Sequence, residues 1–182
     1  MSGQSRIRPW RAADLESLVR HANDREVWLN LRDRFPHPYT WSDGEQFLDS
    51  ALAQEPVRYF AIEHDGLAVG GVGIEPGEDI ERISGELGYW VGREHWGRGL
   101  ATEAAREATT YAFEVLGLHR VWATPFKRNP ASIRVLEKLG FRPEGEFVEC
   151  VLKEGRLESM LVYAITAPEW TAGPIAGHSP PS

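Results

Sequence analysis

Apolar positions along the chain repeat with two rhythms, one of two residues and one of three to four. Residues 6–9 predict a short strand, and the stretch 11–24 sets Leu15, Leu18 and Val19 on one face of an amphipathic helix. A second helix is expected over 41–54, opened by a capping box in which Ser42 and Glu45 stand three residues apart. Two apolar runs within 58–75 flank the turn-forming triplet His64-Asp65-Gly66 and predict a β-hairpin. Residues 84–92, Ser-Gly-Glu-Leu-Gly-Tyr-Trp-Val-Gly, form a further strand candidate.

From Ala101 onward the apolar residues Ala101, Ala104, Ala105, Ala108, Tyr111, Ala112 and Val115 step by three and four, a helix of about four turns. Residues 119–126 are rich in strand formers. Asn129 followed by Pro130 opens the next helix, an N-cap and a proline at the first helical position, and Gly140 with Phe141 closes it. Residues 144–165 read as a hairpin turning near Glu154-Gly155. The order βααβββαβαββ mixes hairpins with helical crossovers and points to a mixed-sheet α/β or α+β fold. A length of 182 residues fits one domain, expected over 1–170, with the Gly-, Pro- and Ser-rich residues 171–182 as a flexible C-terminal tail.

Composition narrows the function classes. Hydrophobic residues make up 42%, enough for a packed core, and the formal net charge of -7 argues against nucleic acid as a partner. An acidic surface favours small cationic substrates or basic protein tails. The single cysteine, Cys150, allows no internal disulfide and no thiolate cluster. His21, His37, His64, His95, His119 and His178 show neither HExxH nor another zinc spacing, so no metal is expected. No apolar run approaches the roughly 18 residues of a membrane-spanning helix. The expectation is a soluble, reduced, cytoplasmic protein with no membrane partner.

Gly97 and Gly99 stand where the helix around residue 101 must begin, although glycine adds backbone entropy that folding removes. Either the turn needs unusual backbone angles, or a partner must approach the main chain closely. A strand, a glycine-bearing turn and a helix start together make an anion site, because the first N–H groups lack internal acceptors and the helix dipole favours negative charge. Arg98 adds a charge-assisted contact. A P-loop requires a lysine that residues 97–103, Gly-Arg-Gly-Leu-Ala-Thr-Glu, lack. A dinucleotide fingerprint requires a third Gly or Ala where Thr102 stands. A plain strand-to-helix turn is the bland alternative. The remaining pattern is Q/R-x-x-G-x-G/A, and residues 96–101, Trp-Gly-Arg-Gly-Leu-Ala, match its last Gly and Ala. In this the segment resembles the pyrophosphate loop of the GNAT acetyltransferases, and Trp96 in place of Gln or Arg resembles the Rim-type N-terminal acetyltransferase branch.

A second segment carries the same resemblance. Residues 129–141, Asn-Pro-Ala-Ser-Ile-Arg-Val-Leu-Glu-Lys-Leu-Gly-Phe, are similar to the GNAT Asn-x-x-Ser/Ala…Glu-Lys-x-Gly-Phe helix and follow the loop after one strand. The resemblance covers roughly residues 6–166. It implies the GNAT fold, a mixed, mostly antiparallel central sheet of about seven strands flanked by about four helices. It also implies an acetyl-CoA-dependent N-acetyltransferase that passes acetyl directly to a primary amine, without an acyl-enzyme. The Rim-type branch suggests a protein or peptide N-terminal α-amine. The alternatives are a small amine (amino acid, polyamine or aminoglycoside) or a non-catalytic acyl-CoA-binding module. Dimers are common in the branch, so a homodimer is a candidate state.

The resemblance implies roles for individual residues. The diphosphate of the cofactor would lie on the backbone amides of Arg98, Gly99, Leu100, Ala101 and Thr102, beside Trp96 and Gly97. The pantetheine arm would run along 86–91, near Tyr89, Trp90 and Val91, with the Val91 N–H polarising the thioester carbonyl; the plain alternative is that Tyr89 and Trp90 are packing aromatics. Asn129 would contact the pantetheine arm or serve only as N-cap. The family's tyrosine acid, seven residues after this asparagine, is replaced by Leu136. Ser132 matches the serine that Rim-type enzymes offer to the leaving sulfur; its bland alternative is a first-turn cap. Glu86 and Glu149 are the candidate general bases. Residues 30–41, dense in Arg, Pro and aromatics, are expected to recognise the acceptor together with the C-terminal hairpin, or to pack Phe35, Tyr39 and Trp41 over the core.

Overall fold

In the computed structural model, which describes residues 6–172, seven strands and six α-helices follow one another. They are β1 (Arg6–Pro9), α1 (Leu15–Ala22), α2 (Arg25–Trp28), α3 (Trp41–Leu52), β2 (Tyr59–His64), β3 (Leu67–Pro76), β4 (Ser84–Val91), α4 (Leu100–Glu114), β5 (Arg120–Ala123), α5 (Pro130–Lys138), β6 (Arg142–Lys153), β7 (Arg156–Thr166) and α6 (Ala167–Ala172). The strands form one sheet in the order β1-β2-β3-β4-β5-β7-β6. Every pairing is antiparallel except β4 with β5. This is the mixed, mostly antiparallel sheet expected.

Period-two alternation splits the core between the two faces of the sheet. On β2, Phe60 and Ile62 face α4 and α5, where they join Val72, Ile74, Leu87, Val121 and Leu136. Ala61 faces the other way, into a second cluster with Trp10 after β1, Leu18 of α1, Leu48 of α3 and Tyr39 just before α3. Helix α4 presents Ala104, Ala105, Ala108 and Ala112, all buried, so its backbone lies close against the strands. Both hairpins turn through two residues of positive φ, Asp65-Gly66 and Glu154-Gly155, the left-handed pair that matches strand twist.

The structure departs from expectation at several boundaries. The helix expected over 11–24 ends at Ala22, because the Asp24 side chain accepts from the Glu26 N–H at 2.8 Å and starts the separate helix α2. The capping box of α3 lies two residues earlier than Ser42 and Glu45. Thr40 takes the extended cap conformation, and Asp43 Oδ2 accepts its N–H at 2.7 Å. Val115 falls beyond the last turn of α4 and is exposed rather than part of the apolar face. Helix α6 continues to Ala172, its Trp170 donating to Thr110 Oγ1 at 3.2 Å. Residues 173–182, most of the expected tail, lie outside the described residues. Among the described residues no helix is long and apolar enough to cross a membrane.

Candidate active site

The chain leaves β4 at Val91, makes a 3-10 turn over Arg93–His95 and enters α4 through Gly97 and Gly99. Both glycines are left-handed, with φ +76° and +81°, and a Cβ at either would meet nothing within 4 Å. Internal packing therefore does not require glycine here. The backbone angles do, at about 1–2 kcal/mol for any other residue, and the main chain faces open space. The turn thus needs its unusual backbone angles, and the open space beside it leaves room for a close approach to the main chain. The Gly99 carbonyl accepts from Thr102 and Glu103 at 3.0 and 3.1 Å, so the Thr102 amide already has a partner. The amides of Arg98, Gly99, Leu100 and Ala101 have no backbone acceptor among the described residues. The Trp96 indole N–H donates to the Val91 carbonyl at 2.7 Å and ties the loop to the end of β4.

Strand β4 is paired with β3 along its whole length but with β5 only over Ser84–Glu86. Beyond Glu86 the two strands part. Because the Gly92 N–H donates to Val69 at 2.8 Å, the alternation of strand amides turns the Val91 and Tyr89 N–H groups away from β3 and into this gap. A cavity of about 420 Å³ occupies it. Residues from both sheet faces reach it. Glu86, Gly88 and Trp90 line it on the α1 and α3 side, while Leu87, Tyr89 and Ser132 line it on the α4 and α5 side. Gly88 stands opposite Gly73, with nothing within 4 Å of its missing Cβ, which keeps this wall bare.

On the α5 side, Asn129 caps the helix, its Oδ1 accepting the Ser132 N–H at 3.2 Å. The cap uses the amide oxygen and leaves the amide NH2 without a side-chain partner among the described residues, so capping and ligand contact do not compete. The Ser132 hydroxyl stands 2.8 Å from the Tyr89 hydroxyl, which also reaches the Ser132 carbonyl at 3.1 Å. Burial pushes the Tyr89 phenol up to about 12, opposed by its bond to Ser132. Leu136 is fully buried in the core. Tyr89, expected beside the pantetheine arm or as a packing aromatic, therefore brings a phenol to Ser132. Its odd-numbered place on β4, on the face turned to α5, was the signal for it.

The two candidate bases part company. Glu86 lines the cavity; its Oε1 accepts from Arg32 and, at 3.0 Å, from Thr124 Oγ1, while Oε2 has no partner among the described residues. Glu149 lies on the edge strand β6 where the register slips between Phe147 and Val151, with φ +46°, exposed and away from the cavity. That bulge breaks the alternation that would aim its side chain. Opposite Glu86 in the ladder stands Glu75, which also lines the cavity and is held by Tyr59 and by Arg58 at 3.2 Å.

The segment 30–41 packs over the core and also lines the cavity. Phe35 packs edge-on to Trp90 at 5.5 Å and Tyr39 is buried, whereas Trp41 is exposed. Asn30, Leu31, Arg32 and Arg34 line the cavity. Basic side chains lock this segment to the C-terminal half. Lys153, 4% exposed, donates to the Leu31 carbonyl at 2.9 Å and to Asp33 Oδ1 at 2.6 Å, and lies 3.6 Å over the Trp28 ring. Arg128 donates to the Leu29 carbonyl at 2.6 Å and to Glu158 at 2.9 Å, and Arg25 binds Glu154 through both carboxylate oxygens. Behind the loop at 96–102, His21 and His95 meet with ring centroids 5.1 Å apart, Glu94 beside them, a cluster that linear spacing does not reveal.

Comparison with known proteins agrees with this geometry. Residues 5–142 match the acetyltransferase (GNAT) domain family. Spermidine N(1)-acetyltransferase of Escherichia coli (strain K12) is 28% identical over 92% of this chain and 88% of its own length. The [ribosomal protein uS5]-alanine N-acetyltransferase of the same organism is 28% identical over 90% of this chain and 85% of its own. Matches to several Bacillus relatives span only 46% to 58% of those proteins. Among solved structures, Mycobacterium smegmatis RimJ in complex with CoA-disulfide superposes with a TM-score of 0.78 at 28% identity, over 90% of this chain and 82% of that one. With the family match running from the start of β1 to the start of β6, across the glycine loop, the gap and the Asn129 helix, the chain belongs to the GNAT acetyltransferases.

Proposed function

We propose that the protein transfers an acetyl group from acetyl-CoA directly to a primary amine, the α-amine of a protein or peptide N-terminus. One observation carries the reading: β4 and β5 part at Glu86, and the strand that lines a two-sided cavity from Glu86 to Trp90 runs on into the turn before α4, where four amides stand without backbone acceptors. The free amides at 98–101 and the left-handed glycines suit a diphosphate, and the freed Val91 and Tyr89 N–H groups suit an extended amide-bearing arm. Acetyl-CoA supplies an acetyl group activated as its thioester. The Val91 N–H polarises the carbonyl, an amide donor fixed before the reaction. Ser132 Oγ gives a proton to the departing sulfur and draws on the Tyr89 hydroxyl behind it. Glu86 Oε2 receives the proton of the amine, directly or through water, from the opposite side of the sheet. A nitrogen–carbon bond forms, a carbon–sulfur bond breaks, and one proton passes at each side.

Acetylation of a small amine is the second reading, favoured by the similarity to the spermidine enzyme over 92% of this chain. The same proposal has the enzyme working in the cytoplasm as a homodimer; Phe147 and Val148, exposed on the outer edge strand β6, supply an apolar surface for a second copy. Thiol release across a panel of N-terminal peptides and small amines, with calorimetry on acetyl-CoA, tests the whole. Binding with turnover of peptides supports it. Binding without thiol release from any amine leaves a non-catalytic module, and absent binding removes the function altogether.

A further inference from the structure

We infer that the acceptor is a peptide whose first residue is apolar and whose second or third residue is acidic, and that Arg34 reads that acid. The inference rests on the acetyl-transfer reading above and deepens it. It begins from the charges of the cavity. Both carboxylates that line it already have partners: Glu86 is held by Arg32 and Thr124, Glu75 by Arg58 and Tyr59. A polyamine brings a second ammonium that would need a carboxylate of its own, and the cavity wall offers none without a cation.

Arg34 is the reverse case. It lines the same cavity, is exposed, and makes no ion pair or side-chain hydrogen bond among the described residues. Its neighbour Asp33 does not neutralise it, because Asp33 Oδ1 is bound by Lys153 at 2.6 Å. With Glu86 paired to Arg32, Glu75 to Arg58 and Asp33 to Lys153, Arg34 is left as the cavity's unpaired charge among the described residues, in a chain whose net charge is -7, and it favours an anionic partner group at this one place. The walls beneath are aromatic, with Trp10, Phe35, Phe47 and Trp90 among them, so the side chain nearest the reacting amine is apolar. Arg34 lines the same cavity as Glu86, and an extended peptide rises about 3.3 Å per residue, so the acid it reads is assigned to the second or third residue rather than the first.

The test pairs peptides that share an apolar first residue and carry either Asp or Lys at positions two and three, with spermidine alongside, and measures kcat/KM for wild type, Arg34→Gln and Arg34→Glu. Wild type is expected to favour the acidic peptide by about five-fold at low salt, the scale of a rim ion pair, and to lose the preference in high salt. Arg34→Gln levels the pair and Arg34→Glu inverts it. A preference untouched by Arg34→Glu, or faster turnover of spermidine than of either peptide, overturns the inference while leaving acetyl transfer standing. Failure of wild type to bind acetyl-CoA in calorimetry overturns the transfer reading and takes this inference with it.

Discussion

The hydroxyls of Tyr89 and Ser132 stand 2.8 Å apart, one from the middle of β4 and one from the first turn of α5. The pair links the strand whose amides open into the gap to the helix that Asn129 caps. Burial pushes the Tyr89 phenol up to about 12, so it keeps its proton at neutral pH, and in the proposed transfer it would recharge the Ser132 hydroxyl. Ser132→Ala should lower kcat by about 10²-fold, the low end for a positioned acid, with acetyl-CoA affinity unchanged. Tyr89→Phe should show a smaller loss of the same kind. Thiol-release kinetics beside calorimetry measure both, and undiminished turnover in Ser132→Ala would remove the serine from the chemistry.

At the other end of the gap, Gly99 combines φ +81° with an amide that has no backbone acceptor. Gly99→Val places a branched side chain over the anion cradle and strains the turn. Acetyl-CoA affinity should fall about ten-fold or more, equivalent to at least 1.4 kcal/mol. Thermal stability should fall as well, so calorimetry on the folded variant separates the two effects. Unchanged affinity would count against the loop as the diphosphate site.

Lys153 gives a test of the acceptor loop that leaves the acetyl-CoA side alone. Its ammonium is buried against Leu31, Asp33 and Trp28, and through them fixes the segment that carries Arg32 to Glu86. Lys153→Met keeps the stem and removes the charge. The loss of charged hydrogen bonds should cost about 1–2 kcal/mol, reduced because Asp33 is exposed. The KM for the amine should rise about five- to ten-fold on that scale, with the KM for acetyl-CoA unmoved and Lys153→Arg restoring part of the loss. Parallel rises in both KM values would show a general loss of structure instead.

These residues also mark what the sequence discloses and what it hides. Gly97 and Gly99 were legible because left-handed angles leave a visible trace, a glycine where a helix former would otherwise stand. The alternation of Leu87, Tyr89 and Val91 with Glu86, Gly88 and Trp90 was legible as a strand, and Asn129-Pro130 as a helix start. The contact between Tyr89 and Ser132 was not, since it joins positions 43 apart whose meeting depends on the packing of α5 on the sheet. Lys153 reads as solvated surface in any one-dimensional pattern; only the hairpin turn at Glu154-Gly155 brings it under the loop. Glu149 misled because a β-bulge leaves no periodic signature and reverses which way a side chain faces. Helix α2, four residues long and held by the Asp24 cap, is too short to show periodicity at all.

The His21 and His95 pair should make the glycine loop sensitive to acid. Burial holds both imidazoles below the ordinary 6.5; each is also pushed down by nearby positive charge and pulled partly back by Glu94. His95 directly precedes Trp96, and a Cβ on Gly92 would stand 2.7 Å from His21 Nδ1, so the pair is packed tightly against both ends of the turn. The unfolded chain binds protons at 6.5 where the folded one does not. The stability from these groups is therefore complete above pH 6.5 and is lost as pH falls through their lowered folded values. Carboxylates such as Glu63 and Glu144, held down by Arg8 and Arg120, begin to cost stability only below their own ordinary 4.5. Melting temperature should fall as pH drops below 6.5 in wild type and fall less in His95→Gln, with acetyl-CoA affinity weakening over the same range as the turn loosens. Thermal scans and calorimetry across that range decide it, and an identical acid loss in His95→Gln would assign the effect to other groups.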